Sequence, residues 1–288
     1  MSRYIRTLLG TAVALIALVT SCAAPSGTFQ QGDSSPAMHG EITPATEVDT
    51  QAMSKVNNLF SEPEIVAQAY KKLVNDCMAS RGFPEYKAAR QGRAHYSVRS
   101  LMVPAPLTIE QATTRGYPPL LERDADSTPE ESVTEAQAKA LMGQSSEETR
   151  DGQPVIGCRY IAQEEIFGDA QGASTFYGGS NNAPLAYINK AKQTPEMMHI
   201  HQQWSECMKK RGYQYLSPDE AYLQGREENL PRQDAECREE IGYEQAITNQ
   251  LNAYLTSFLN ENQVLIERIA QAKKNAEENA PKILDGTL

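Results

Sequence analysis

The sequence has no apolar run approaching the roughly 20 residues a membrane-crossing helix requires. Its one sustained run, Leu8 to Val19, is about a dozen residues long, so a retained transmembrane helix is not expected. Positive charge is scarce. Lys and Arg number 27 against 37 Asp and Glu, a net charge of −10. Affinity for phosphates is carried by Lys and Arg, so nucleic acid is not an expected partner. Signatures of group-transfer chemistry are missing as well. There is no Gly-x-Ser-x-Gly elbow, Gly-rich phosphate loop, zinc spacing or calcium loop. Gly178-Gly179-Ser180 falls in a Gly-, Ser- and Asn-rich stretch that reads as a loop. The alternating strand and helix signals of a two-lobed α/β solute-binding protein are also lacking.

What is present begins with an address. Arg3 and Arg6 form a short positive segment, the apolar run follows, and small residues lead into Val19-Thr20-Ser21-Cys22. This tetrad resembles the lipobox of bacterial prolipoproteins. The resemblance implies that residues 1–21 are a signal peptide, that cleavage falls after Ser21, and that Cys22 carries lipid. Several acyl chains on one residue anchor firmly, since each buried CH₂ contributes about 0.8 kcal/mol. The expected partner is therefore the lipid bilayer, reached through Cys22, on the extracytoplasmic face of the cell membrane. Loss of Arg3 and Arg6 takes the net charge from −10 to −12.

Residues 22–50 read as a linker. Ala, Pro, Ser, Gly, Gln and Thr dominate, without apolar periodicity, and such a segment buries too little to offset its ordering entropy. Its random-coil reach is about 30 Å.

With Cys22 set apart, Cys77, Cys158, Cys207 and Cys237 remain. An even number in an exported chain argues for two disulfides, and spacing alone leaves three pairings open. An internal repeat selects among them. Tyr70…Val74…Cys77-Met78…Arg81-Gly82-Phe83 matches Ile200…Trp204…Cys207-Met208…Arg211-Gly212-Tyr213 at a constant offset of 130 residues. Both windows read as helices. Ser61-Glu62-Pro63-Glu64 looks like a capping box, and Thr194-Pro195-Glu196 opens the second helix in the same manner. Gly82 and Gly212 are placed to end them in the left-handed conformation. Leu107-Thr108-Ile109 parallels Leu216-Ser217-Pro218, and Cys158-Arg159 parallels Cys237-Arg238, each leading into a helix. The simplest arrangement is one disulfide per half, Cys77–Cys158 and Cys207–Cys237.

The expected fold is thus mainly α: two related helical halves, residues 51–180 and 181–288, each with one disulfide, plus irregular insertions. A short strand pair is expected at Tyr96 to Val103, an acidic loop at 124–129, helices at 136–142 and 159–167, and a boundary loop at 168–182. The second half ends in a long helix. Leu251, Leu255, Phe258, Asn262, Leu265, Ile269, Ala272 and Ala276 follow four-and-three spacing. Such a stripe either crosses the rest of the domain or pairs in a coiled coil, where Asn262 would select register.

The twice-repeated Cys-Met-x-x-x-Gly-aromatic motif, with Leu141-Met142-Gly143, Gly157-Cys158 and Asp234-x-x-Cys237, resembles a family of uncharacterised actinobacterial lipoproteins and secreted proteins. The likeness runs from about residue 61 to about 270. It implies a Gram-positive envelope and carries over cysteines and an address, with no catalytic residue, metal or cofactor.

The sharpest candidate for chemistry is Met197-Met198-His199-Ile200-His201, because thioether and imidazole suit copper outside the cell. Met197 and Ile200 also belong to the apolar stripe of their helix, so core methionine and surface histidines are the preferred reading and no metal is assigned. Phe83, Tyr86, Tyr213 and Tyr215 either line a groove or pack over the disulfides. Adjacent acids at 164–165, 227–228 and 239–240 diverge on a helix and read as solvated faces. The expectation is a binding module with an envelope protein or cell-wall ligand as partner, and no enzyme. A cell-wall-active enzyme and a transporter's solute-binding component are the alternatives.

Overall fold

A computed structural model describes residues 41–101, 105–118, 133–145, 149 and 154–287. The expected signal peptide, Cys22, the first part of the expected linker and the expected acidic loop at 124–129 lie outside the described residues. Among the described residues no helix is long and apolar enough to cross a membrane.

Helices α1 (Ala52–Phe60) and α2 (Glu64–Ser80) open the fold. α1 buries Ala52, Val56 and Phe60, and α2 buries Val66, Tyr70, Val74 and Met78 with Leu73 and Cys77 partly buried beside them. Ser61 does not cap α2; it closes α1, its N–H donating to Asn57 O. Pro63 precedes the first helical residue, and the Ser61 hydroxyl donates to Asn57 O while accepting from Tyr96 N–H. Residues 96–101 form no strand. Their amides are taken by side chains of the α1 end, Val98 N–H donating to Asn57 Oδ1 at 2.7 Å, and Arg99–Leu101 is a 3₁₀ turn.

The middle of the chain holds α3 (Ile109–Arg115), α4 (Glu135–Met142), a two-residue antiparallel pair of β1 (Gly143–Gln144) with β2 (Val155–Ile156), and α5 (Cys158–Phe167). The cap of α4 is a capping box of Thr134 with Gln137. The stretch 168–182 is a helix, α6 (Ala170–Asn182), and not a boundary loop. Asp169 caps it, accepting from Gly172 N–H, and Ala173 and Phe176 are buried. One of its glycines, Gly179, serves close packing. A Cβ at Gly179 would lie 2.7 Å from Ile269 Cδ1 and 3.7 Å from Phe60 Cε1.

Then follow α7 (Leu185–Lys192), α8 (Pro195–Lys210), α9 (Pro218–Gln224), α10 (Leu230–Glu240), α11 (Tyr243–Glu261) and α12 (Gln263–Asp285). Thr194 caps α8 through Met197 N–H with proline in the first turn, as its sequence signals. The long C-terminal stretch is broken twice, at left-handed Gly242 and at Asn262. Asn262 selects no register. Its amide donates to Phe258 O at 2.9 Å and to the Tyr187 hydroxyl at 3.1 Å, taking over backbone bonding where the helix turns. Leu251, Leu255, Phe258, Ile269, Ala272 and Ala276 are all buried in this chain's own core. The stripe crosses the molecule, α11 meeting α1, α7 and α8 while α12 meets α2, α5 and α6.

Both disulfides join as the repeat indicates. Cys77–Cys158 ties α2 to α5 and Cys207–Cys237 ties α8 to α10, with Cα separations of 5.7 and 5.8 Å. The repeat is visible in backbone geometry too. Gly82 and Gly212 both have φ of 91°, and Phe83 and Tyr213 N–H each donate to the carbonyl of the motif methionine at 3.0 Å. The likeness of α3 to α9 is local only. α3 packs on α10, away from its own half, and α4 stands before α5 as α9 stands before α10. Cys158 opens its helix, whereas Cys237 lies near the end of α10.

The halves are not separate bodies, since residues 40–288 form one compact unit. The end of the predicted linker belongs to it. Ala45 N–H donates to Ala253 O at 3.1 Å, the Ser257 hydroxyl to Thr43 O at 2.7 Å, and Asp49 N–H to Thr256 Oγ1 at 3.0 Å. Backbone groups hold this segment, which is why its composition shows no apolar pattern.

Two measurements check this packing. Gly179→Val should lower stability by about 1–3 kcal/mol through overpacking, read from the urea midpoint. Removing Cys77–Cys158, which spans 81 residues, should cost more than removing Cys207–Cys237, which spans 30. The chain-entropy model gives about 4.5 against about 3.7 kcal/mol.

Candidate functional site

The outward side of α8 carries a concave surface. Met198, His201, Gln202, Ser205, Glu206 and Lys209 lie along it, and with Leu216 beyond the helix end they line a shallow depression of about 420 Å³. The rim is apolar and open: Met198 is 60% exposed and Leu216 78% exposed. Leu216 is held there by its neighbours. The Ser205 hydroxyl donates to Tyr215 O at 2.7 Å, and Leu216 N–H donates to the Glu220 carboxylate at 2.7 Å. Gln202 donates to Glu206 at 3.1 Å, one turn on.

His201 connects this surface with the interior. Its Nε2 lies 3.3 Å from the Tyr243 hydroxyl, and the two rings are stacked with centroids 6.0 Å apart. Burial lowers the imidazole pKa below its ordinary 6.5; Asp219 opposes that shift, while Lys192 and Arg238 add to it. The sign for folding follows. A depressed pKa contributes stability that is present above 6.5 and is lost as the pH falls through the lowered value.

Beneath Tyr243 the charges are sealed. The Arg238 guanidinium lies 5.4 Å from the Tyr243 ring centroid. It donates to both carboxylate oxygens of Asp234, at 2.7 and 2.6 Å, and to Ala105 O at 3.1 Å. Arg238 is 1% exposed and Asp234 0%. Asp234 Oδ1 also accepts the Trp204 indole N–H at 2.8 Å. Glu244, 3.7 Å from Arg238, is gripped from the other side by Arg99 through two 2.9 Å bonds. Burial works against the Arg238 charge, but the attraction and hydrogen bonds of Asp234, with Tyr243 and Glu244, together outweigh it and its pKa moves up. An ion pair this buried satisfies most of its bonding within the fold and is structural in character.

The sequence candidates divide across this surface. Met198 and His201 line the depression, but Met197 is buried in the core and His199 is exposed outside it. The two thioethers do not converge. Among the described residues no group of three or more His, Cys, Asp or Glu side chains is placed to hold a metal ion. Ser205 stands one turn from His201, yet its hydroxyl bonds to Tyr215 O and the imidazole faces Tyr243, so they form no nucleophile–base pair. Tyr213 and Tyr215 pack over the second disulfide and Phe83 and Tyr86 against the main core, so the four line no common groove. The Tyr215 hydroxyl meets Glu227, and Glu240 takes Arg211.

A second buried carboxylate lies in the first half. Glu62 is 1% exposed, accepts from the Tyr177 hydroxyl at 2.7 Å and faces Arg90, and burial raises its pKa. Gly92 closes over it, a Cβ there falling 2.8 Å from Glu62 Cβ. It has no opening to solvent and serves to pin residues 90–96 onto α2. Neither Glu62 nor Tyr243 is signalled in the sequence. Arg238 and Asp234 are signalled only by their spacing from Cys237.

No family model, curated protein or solved structure matches the chain.

Truncating one member of the buried pair tests its role. Asp234→Ala leaves the Arg238 charge without its partner and should cost about 3–5 kcal/mol, whereas Asp234→Leu with Arg238→Met should cost far less. Urea denaturation of both variants distinguishes them.

Proposed function

We propose that this chain is a lipid-anchored binding module of the cell envelope, displayed outside the cytoplasmic membrane, and that the α8 depression is its working surface. The tetrad ending in Cys22 supports the anchor. Four paired cysteines suit an oxidising compartment, and the resemblance to actinobacterial lipoproteins points to the same address. The observation that carries the binding reading is the pair Met198 and Leu216, held open to water around a concave, half-polar floor. Imidazole, amide and hydroxyl groups with one charge of each sign suit a peptide segment that brings an apolar anchor. The expected partner is accordingly another protein of the envelope.

The test uses two variants in intact Gram-positive cells. Cys22→Ala should abolish incorporation of a palmitate analogue and release the protein to the medium. A photo-crosslinking residue at position 216 should give a discrete adduct that the same probe at Asp285, at the far end of α12, does not. Retention of label by Cys22→Ala would refute the anchor, and identical cross-linking from both positions would refute the surface.

A further inference from the structure

His201 links the depression to the buried charge network, and five elements bring ionisable groups around it. Lys192 of α7 and Asp219 of α9 form an ion pair at 3.4 Å, Arg238 comes from α10 and Tyr243 from α11, and Glu206 and Lys209 follow on α8 itself. We propose that His201 is a proton switch that couples the α8 depression to the Arg238–Asp234–Trp204 network.

The geometry specifies the change. In the neutral tautomer with its proton on Nδ1, the imidazole accepts the Tyr243 O–H at Nε2. Burial pushes the Tyr243 pKa up, so the phenol stays protonated and keeps that role. A proton taken from solvent turns Nε2 into a donor. The Tyr243 O–H must then rotate away, and its oxygen accepts from the imidazolium. A second cation now faces the ring that already lies 5.4 Å from the Arg238 guanidinium. Arg238 cannot retreat without disturbing Asp234, which also holds the Trp204 indole. Asp219, whose Oδ1 is buried without a hydrogen-bond partner, is the available counter-charge. The outer side of the same imidazole lines the depression, so protonation alters the surface and the interior together. This rests on the binding reading only for its consequence, because the switch is read without any ligand.

The chain supplies its own reporter, since Trp204 is its only tryptophan and is fully buried. Emission of the purified protein, followed from about pH 8 to 4.5, should show a one-proton transition. Its midpoint should lie below 6.5. His201→Gln should flatten it, and His199→Gln, on the exposed neighbour, should leave it intact. Tyr243→Phe removes the oxygen that accepts from the imidazolium, a charge-assisted bond that favours the protonated form, and should lower the midpoint. If His201→Gln fails to fold, ¹⁵N NMR of the wild type replaces it, the His201 ring and the Trp204 indole N–H moving with one midpoint. A flat profile in the folded wild type, a transition surviving His201→Gln or lost in His199→Gln, an unmoved midpoint in Tyr243→Phe, or separate NMR midpoints would each overturn the proposal.

Discussion

One apolar stripe makes a single body of two related halves. It runs along α11 and α12 from Ile247 to Ile283, and its residues pack against α1, α7 and α8 on one stretch and against α2, α5 and α6 on the next. Without α11 and α12, what remains of each half is a small set of helices of 7 to 17 residues, too few to close a core of its own. Burying Ile247, Leu251, Tyr254, Leu255, Phe258, Ile269 and Ile283 along two successive helices removes that limit, at roughly 1.5–3 kcal/mol for each fully buried side chain. The remaining features follow from this constraint. Gly179 is bare so that α6 can reach Ile269, Asn262 supplies bonds where the stripe changes direction, and polar side chains at 252, 256 and 257 fasten residues 43–53 along α11.

The disulfides act on a different scale. Each joins two helices inside one half, beside the Arg-Gly turn that the repeat preserves. They secure local geometry, and the stripe secures the assembly. The two halves have diverged in what lies beyond that shared corner. Arg81 braces the hairpin through the carbonyls of Ala140 and Ile156, whereas Arg211 reaches Gln233, Glu236 and Glu240 on α10. The segment 105–118 crosses to the second half, where α3 packs on α10 and Pro118 O accepts the Tyr222 hydroxyl. The α8 face is the side of the second half that neither this crossover nor the stripe covers.

Legibility in the sequence tracked how local each determinant is. The repeated motif, the α8 cap and the apolar stripe are written in short spacings, the motif's recurrence selects the cysteine pairing, and the structure has them at those residues. Residues 168–182 misread because Gly, Ser and Asn normally disfavour a helix. Here close approach to α12 overrides propensity, and that depends on Ile269, about ninety residues onward. Ser61-Glu62-Pro63-Glu64 misread for a related reason: Glu62 is drawn inward by Tyr177 and Arg90, and Ser61 by Tyr96. The same applies to the candidate site. Met198 and His201 were visible as a pattern, but Leu216 and Tyr243 join them only through the fold. Nothing local marks Arg238 as the charge beneath the ring.

The central claim is that the stripe makes one cooperative unit of both halves and leaves the α8 face as its open surface. Native-state hydrogen exchange across the whole chain tests it most directly. Buried amides of α2, α5, α8, α11 and α12 should open with one common free energy, while those flanking Met198 and Leu216 exchange faster through local motion. Two separate opening energies, one for α2 and α5 and another for α8 and α10, would contradict it.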